Sequence, residues 1–204
     1  SYPIRVGEPG NLKRLHTVPH PQELTMAEVL KSAGYATGII GKWHLCETDK
    51  SAPGGFDRAT MPNAQGFDYF YGTPLYNGAV VNVNESPFRS PIFRNGEVVV
   101  KAVQTWDNIT PDYTREAIAY ITAHREKPFF LYLAYTIPHV KWQVPDLGQY
   151  AEKDWPEKMK IQAAMVTRMD RDIGQLKRLL EKLGISEDTL IMFNSDNGAH
   201  GQGG

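Results

Sequence analysis

A single cysteine, Cys46, stands in the whole chain. One thiol forms no intrachain disulfide and offers no cysteine cluster to zinc. Its surroundings, Leu45-Cys46-Glu47-Thr48-Asp49, are acidic and disfavour a thiolate, so Cys46 reads as a passive side chain. Long hydrophobic runs are also missing. No stretch approaches the roughly 18 apolar residues that span a bilayer, so no membrane partner is expected. Charge of one sign is missing as well: 22 Lys and Arg face 23 Asp and Glu, a formal net charge of -1. No global basic field points to nucleic acid. The opening, Ser1-Tyr2-Pro3-Ile4-Arg5, lacks the apolar region of a signal peptide, a property it shares with mature chains. Two sequons, Asn84-Glu85-Ser86 and Asn108-Ile109-Thr110, hint only weakly at secretion.

What is present alternates between two periodicities. Residues Ser1 to Gln22 are rich in Pro, Gly and basic groups and read as irregular. Thr25-Met26-Ala27-Glu28 is a capping box, with Val29, Leu30 and Ala33 as the expected apolar face and Gly34 as the stop. Ala36-Thr37-Gly38-Ile39-Ile40 follows as a buried strand. From 51 to about 108 the chain is full of Gly, Pro, Asn and aromatics and reads as a loop-rich insertion. It carries one hairpin, Ile92-Phe93-Arg94 with Glu97-Val98-Val99-Val100 around Asn95-Gly96. Thr110-Pro111-Asp112 predicts a second helix start, with Ala117, Ile118 and Ile121 facing inward. Phe129 to Ala134 is a continuous apolar run, expected as a strand buried on both faces. A long helix opens at Pro156-Glu157; Ile161, Met165, Met169, Ile173, Leu176, Leu180 and Leu183 recur at spacings of three and four. Thr189-Leu190-Ile191-Met192-Phe193 predicts a third buried strand. This order gives an α/β fold, a mainly parallel sheet flanked by helices.

Each of the three strands is followed at once by a polar group. Lys42 and His44 close the first, His139 follows the second, and Asp196-Asn197 follow the third. In an open parallel sheet, ligands bind outside the carboxyl ends of the strands, so the three groups share one edge. Lys42 and His44 are two apart and point the same way on an extended backbone, which pairs a cation with a proton-transfer group. The plain alternative is a surface lysine and a satisfied histidine around a core Trp43. Asp196-Asn197 offers one charged and one neutral oxygen, a donor set for a hard cation such as Ca²⁺ or Mg²⁺ rather than zinc. The plain alternative is an Asx turn ending at Gly198. Two donors do not complete such a site. Lys141 and Trp142, just past His139, could pair with and stack on an anionic or sugar substrate, or simply form a surface loop. His200, in a glycine-rich run, is within reach of the same ligand, although a plain tail histidine explains it equally. His16, His20 and His124 carry no assignment.

These residues resemble a known family. Gly34-Tyr35-Ala36-Thr37-Gly38-Ile39-Ile40-Gly41-Lys42-Trp43-His44-Leu45 looks like the second signature of the type I, formylglycine-dependent sulfatases of the alkaline phosphatase-like superfamily. The resemblance extends from Ser1-Tyr2-Pro3-Ile4-Arg5-Val6-Gly7 through Phe130 to His139, Met169-Asp170 to Gly174, and Asn194-Ser195-Asp196-Asn197-Gly198. It implies an alkaline phosphatase-like α/β domain over residues 1–204, incomplete at both ends, and hydrolysis of an aryl or carbohydrate sulfate ester. It implies that Asp196 and Asn197 help hold Ca²⁺, that Lys42 and His139 bind sulfate, that His44 takes a proton as sulfate is expelled, and that His139 protonates the leaving alcohol. It also implies export to periplasm, lysosome or medium. The partner expected is a sulfated small molecule or glycan; oligomeric state is open.

The departures from the pattern are specific. The nucleophile motif, Cys or Ser followed by x-Pro-x-Arg, is absent. Around Cys46 the proline position holds Thr48 and the arginine position Lys50. The formylglycine is therefore expected upstream of Ser1, and the first aspartate pair and second lysine of the family are missing too. These 204 residues alone are expected to be inactive. Two other functions stay open: a phosphodiester or phosphonate hydrolase of the same superfamily, and a non-catalytic anion- or glycan-binding scaffold.

Overall fold

A computed structural model describes residues 19, 23–49, 51–75, 80–83, 86–89, 91–101, 103, 105–139 and 141–195. The chain divides into two units, residues 1–104 with 127–134 and residues 105–126 with 135–204.

In the first unit the local signals act as expected. Helix α1 spans Met26–Ser32. The Thr25 N–H donates to Glu28 Oε2 at 2.7 Å and the Glu28 N–H to Thr25 Oγ1 at 3.1 Å, the two halves of the capping box. Its inward face differs from expectation. Only Ala27 is buried, and Val29 is 52% exposed, so the short helix touches the core by one small residue. Strand β1, Ala36–Lys42, is buried along its middle and is flanked on both sides by parallel neighbours, β2 (Tyr69–Thr73) and β7 (Phe129–Ala134). Beyond β2 lie β5 (Ile92–Arg94) and β6 (Glu97–Val100), antiparallel to each other, giving the order β6-β5-β2-β1-β7. Asn95 and Gly96 both have positive φ, the twist that a two-residue hairpin turn requires. A separate antiparallel pair joins β3 (Val80–Val83) to β4 (Ser86–Arg89).

The α/β class thus holds: among the described residues the first unit has a mixed sheet of five strands, its centre parallel, with α1 against β1. The stretch 51–108, expected as loops with one hairpin, also contains β2, which sits next to β1 in the middle of the sheet. Around it Phe56, Met61, Phe67, Phe70 and Phe93 form the core with Ile39, Trp43 and Cys46.

The second unit is a helix pair. Helix α2, Ile109–His124, starts one residue before the expected cap at Thr110; Asn108 holds the cap position and Thr110 is buried within the helix. Ala117 and Ile121 face inward as expected, joined by Tyr113 and Tyr120. Helix α3, Glu157–Leu183, ends at Gly184, whose left-handed backbone lets its N–H reach the Glu181 and Leu180 carbonyls.

The third strand is corrected. Residues 189–193 form no strand, and Leu190, Ile191, Met192 and Phe193 are 85%, 53%, 81% and 73% exposed. An apolar run becomes a strand only where a neighbour closes its backbone hydrogen bonds, and among the described residues none pairs with this one.

Candidate functional site

The end of β1 is built by close backbone approach. Gly41 is in register with Ala134 on one side and Gly72 on the other. A Cβ at Gly41 would lie 1.9 Å from the Ala134 carbonyl oxygen, and one at Gly72 1.8 Å from the Gly41 carbonyl oxygen. Three strands therefore end at nearly one level, with Lys42, in register with Thr73, as the last residue of β1 directly after this seam.

Pairing continues past the strand. The Trp43 N–H donates to the Thr73 carbonyl at 3.0 Å and the His44 N–H to the Pro74 carbonyl at 2.9 Å. Between the two candidate residues, Trp43 is buried. Its indole Nε1–H donates to the Thr60 carbonyl at 2.9 Å, and its ring meets Phe67 edge-on at 6.0 Å. This anchor holds Lys42 and His44 half-buried on either side of it. His44 has φ 62°, a left-handed conformation uncommon outside glycine. The alternation argument needed an extended backbone through His44. That argument fails at this residue, and what joins Lys42 to His44 is the buried indole between them. Such a strained backbone position is held only where its surroundings over-determine it.

Cys46, two residues on, is buried, and its thiol donates to the Pro74 carbonyl at 3.3 Å. Burial pushes the thiol up to about 12, against a smaller opposing backbone hydrogen bond. This is an inert group, consistent with its departure from the nucleophile pattern.

In the second unit, His139 is exposed at the end of a tight turn, its N–H donating to the Thr136 carbonyl at 3.3 Å. Thr136 and Ile137 are buried, and the Ile137-Pro138 peptide is cis. Trp142 folds back on this turn, its Nε1–H donating to the Pro138 carbonyl at 3.1 Å, and the Lys158 ammonium lies 5.6 Å from its ring centroid. His139 and Trp142 are thus brought together, while Lys141 is exposed beside them. Asp196, Asn197 and His200, the remaining candidates, lie outside the described residues. Among the described residues no group of three or more His, Cys, Asp or Glu side chains is arranged to hold a metal.

One cluster escaped the sequence reading. Asp172 of α3 is 1% exposed. Its Oδ1 accepts from Arg171 Nε and Nη2 at 3.1 and 3.0 Å and from Gln175 Nε2 at 2.8 Å; its Oδ2 accepts from Thr114 Oγ1 at 3.3 Å. Thr114 Oγ1 lies 2.6 Å from the Tyr135 hydroxyl. The available signal was an acid seven residues after Met165 and four before Leu176, inside the apolar stripe of α3.

The sulfatase family model matches residues 3–204. N-acetylgalactosamine-6-sulfatase of Mus musculus is 31% identical over 194 residues, covering 89% of this chain and 34% of the relative. An arylsulfatase of Klebsiella aerogenes is 30% identical over 230 residues, covering 86% of this chain and 47% of the relative. A solved structure concerning metabolism of multiple glycosaminoglycans by Bacteroides thetaiotaomicron superposes with a TM-score of 0.67 at 21% identity, over 85% of this chain and 45% of that one, a likeness of fold. The chain spans about a third to a half of the length of these curated relatives. With a family model matched over nearly all its residues, and relatives of this identity along most of its length, the chain belongs to the sulfatase family.

Proposed function

We propose that this chain supplies part of the active site of an exported enzyme that hydrolyses a sulfate ester of a sugar or aryl alcohol. The observation that carries the reading is the end of β1, where a half-buried lysine and a half-buried histidine of positive φ flank a hydrogen-bonded core tryptophan. Sulfate is a tetrahedral anion, and its hydrolysis moves charge onto its oxygens and onto the departing alcohol. Lys42 meets the sulfate oxygens with a fixed positive charge. His44 accepts a proton as sulfate is released, and His139 donates one to the leaving alcohol. Trp142 and Lys141, beside His139, contact the rest of the substrate, and His200 joins them.

Two groups come from beyond the described residues. A formylglycine, absent from these residues, would supply the nucleophile for the sulfate ester when present. The oxygen-only donor pair Asp196 and Asn197 fits a hard cation such as Ca²⁺, which would offset the negative charge of the sulfate.

The test uses the full-length protein containing this chain. Release of sulfate from p-nitrophenyl sulfate and N-acetylgalactosamine 6-sulfate is compared with hydrolysis of bis-p-nitrophenyl phosphate. The expected outcome is preference for a sulfate ester, with Lys42→Ala and His44→Ala each lowering kcat by about a hundredfold or more. Faster phosphodiester cleavage, or variants as active as the parent, would overturn the assignment.

A further inference from the structure

The cluster at Asp172 has a direction. The Thr114 hydroxyl carries one proton, and two acceptors lie within its reach, the Thr110 carbonyl at 2.9 Å and Asp172 Oδ2 at 3.3 Å. With that proton committed to an acceptor, the 2.6 Å contact is made by the Tyr135 O–H donating to Thr114 Oγ1. The chain of hydroxyls ends in a buried carboxyl whose other oxygen accepts three N–H groups from Arg171 and Gln175. Burial pushes the Tyr135 hydroxyl up to about 12, against the Thr114 hydrogen bond and with the nearby Asp172 adding to the rise, so the phenol remains a donor.

Tyr135 is also the first residue after β7, and it leads directly into the turn that ends at His139. Apolar packing alone suffices to join two helices. A phenol held by a threonine that is itself held by a buried acid fixes something more specific: where the chain starts its turn. We propose that Asp172, acting through Thr114 and Tyr135, is a positioning residue that sets the placement of His139. This rests on the assignment of His139 to the sulfatase site, but its structural half is independent of it.

The experiment compares Tyr135→Phe, Thr114→Val and Thr114→Ser in the full-length protein, by hydrogen exchange of the peptide containing Thr136 to His139 and by sulfate-ester kinetics. Tyr135→Phe and Thr114→Val are expected to raise exchange in that peptide about tenfold while peptides from α2 and α3 are unchanged. They are expected to lower kcat about tenfold with little change in KM, the pattern of a misplaced catalytic group. Thr114→Ser keeps the hydroxyl and is expected to behave as the parent. Asp172→Asn, which keeps the side-chain size where Asp172→Ala would strand buried donors, is expected to raise exchange in the same peptide; parental exchange there would remove Asp172 from the network and overturn the proposal. Exchange that is unchanged in the turn, or raised equally in α2 and α3, would overturn the proposal and leave the cluster as a helix clamp. If the parent protein hydrolyses no sulfate ester, the functional assignment fails, and the exchange result still decides whether the network fixes the turn.

Discussion

At the scale of single residues, identity and context part company at Lys42, His44 and Cys46. All three are visible in the sequence, and the first two stand out by their spacing after an apolar run. Their geometry was not visible. The left-handed backbone of His44 and the Thr60 carbonyl that receives the Trp43 indole are set by contacts with β2 and the turns before it, which no local pattern encodes. Cys46 gives a prediction of its own. Its thiol is raised by burial, so the stability it contributes is fully present below the unfolded thiol's value of about 8.5 and is lost as pH rises through that value toward about 12. Cys46 is expected to resist a disulfide reagent at pH 8 in the folded chain and to react fully in guanidinium, measured by release of the coloured thiolate. Rapid reaction without denaturant would contradict its burial. Asp172 was the least legible residue, because an acid in an apolar helix stripe announces an irregularity and says nothing of its partners.

At the scale of elements, what was legible was local. The capping box of α1, the Asn95-Gly96 hairpin and the glycine stop of α3 each rest on a few consecutive residues, and each formed. What depends on distant pairing was harder. Tyr69 to Thr73 is a strand because β1 and β5 receive it; residues 189–193 are equally apolar and are not, since nothing described pairs with them. The seam at Gly41 and Gly72 yields a sharp expectation. Gly41→Ala and Gly72→Ala each push a methyl into a carbonyl on the neighbouring strand, and each should cost about 3 kcal/mol or more, read from urea midpoints. A loss below about 1 kcal/mol would mean that the strands move apart freely there. Asp68 ties the start of β1 to the approach to β2. Its carboxyl accepts from the Thr37 N–H at 3.2 Å and hydroxyl at 3.1 Å and pairs with Lys31 at 2.5 Å. Burial works to raise it, and the Lys31 and Thr37 hydrogen bonds outweigh that and hold it below the usual carboxylate range. A depressed carboxyl stabilises above its unfolded value and loses that contribution as pH falls through its folded one. The urea midpoint should therefore fall less steeply below about pH 4 in Asp68→Asn than in the parent. Identical acid limbs would remove Asp68 from the account.

At the scale of the whole molecule, the family and its α/β class were legible because the strand-end signature is dense and contiguous. The exposed apolar surface was not. Tyr132 on the outer strand β7 and the run Leu190 to Phe193 leave large side chains in water, as do Met26 and Val29 on α1. Exposed apolar side chains grouped in this way favour association. Prepared alone, these 204 residues are expected to bind a hydrophobic dye and to scatter light with rising concentration. Leu190→Lys with Phe193→Lys should reduce both while leaving the far-ultraviolet spectrum unchanged; no reduction would place the sticky surface elsewhere. The glycine seam also has a reading in heredity. Every missense change of a glycine codon introduces a Cβ, and at Gly41 and Gly72 a Cβ has nowhere to go. A variant found at either codon in an inactive allele would therefore be a folding lesion, beside a catalytic candidate at Gly41 and on the paired strand at Gly72, and its loss of activity would carry no information about the chemistry.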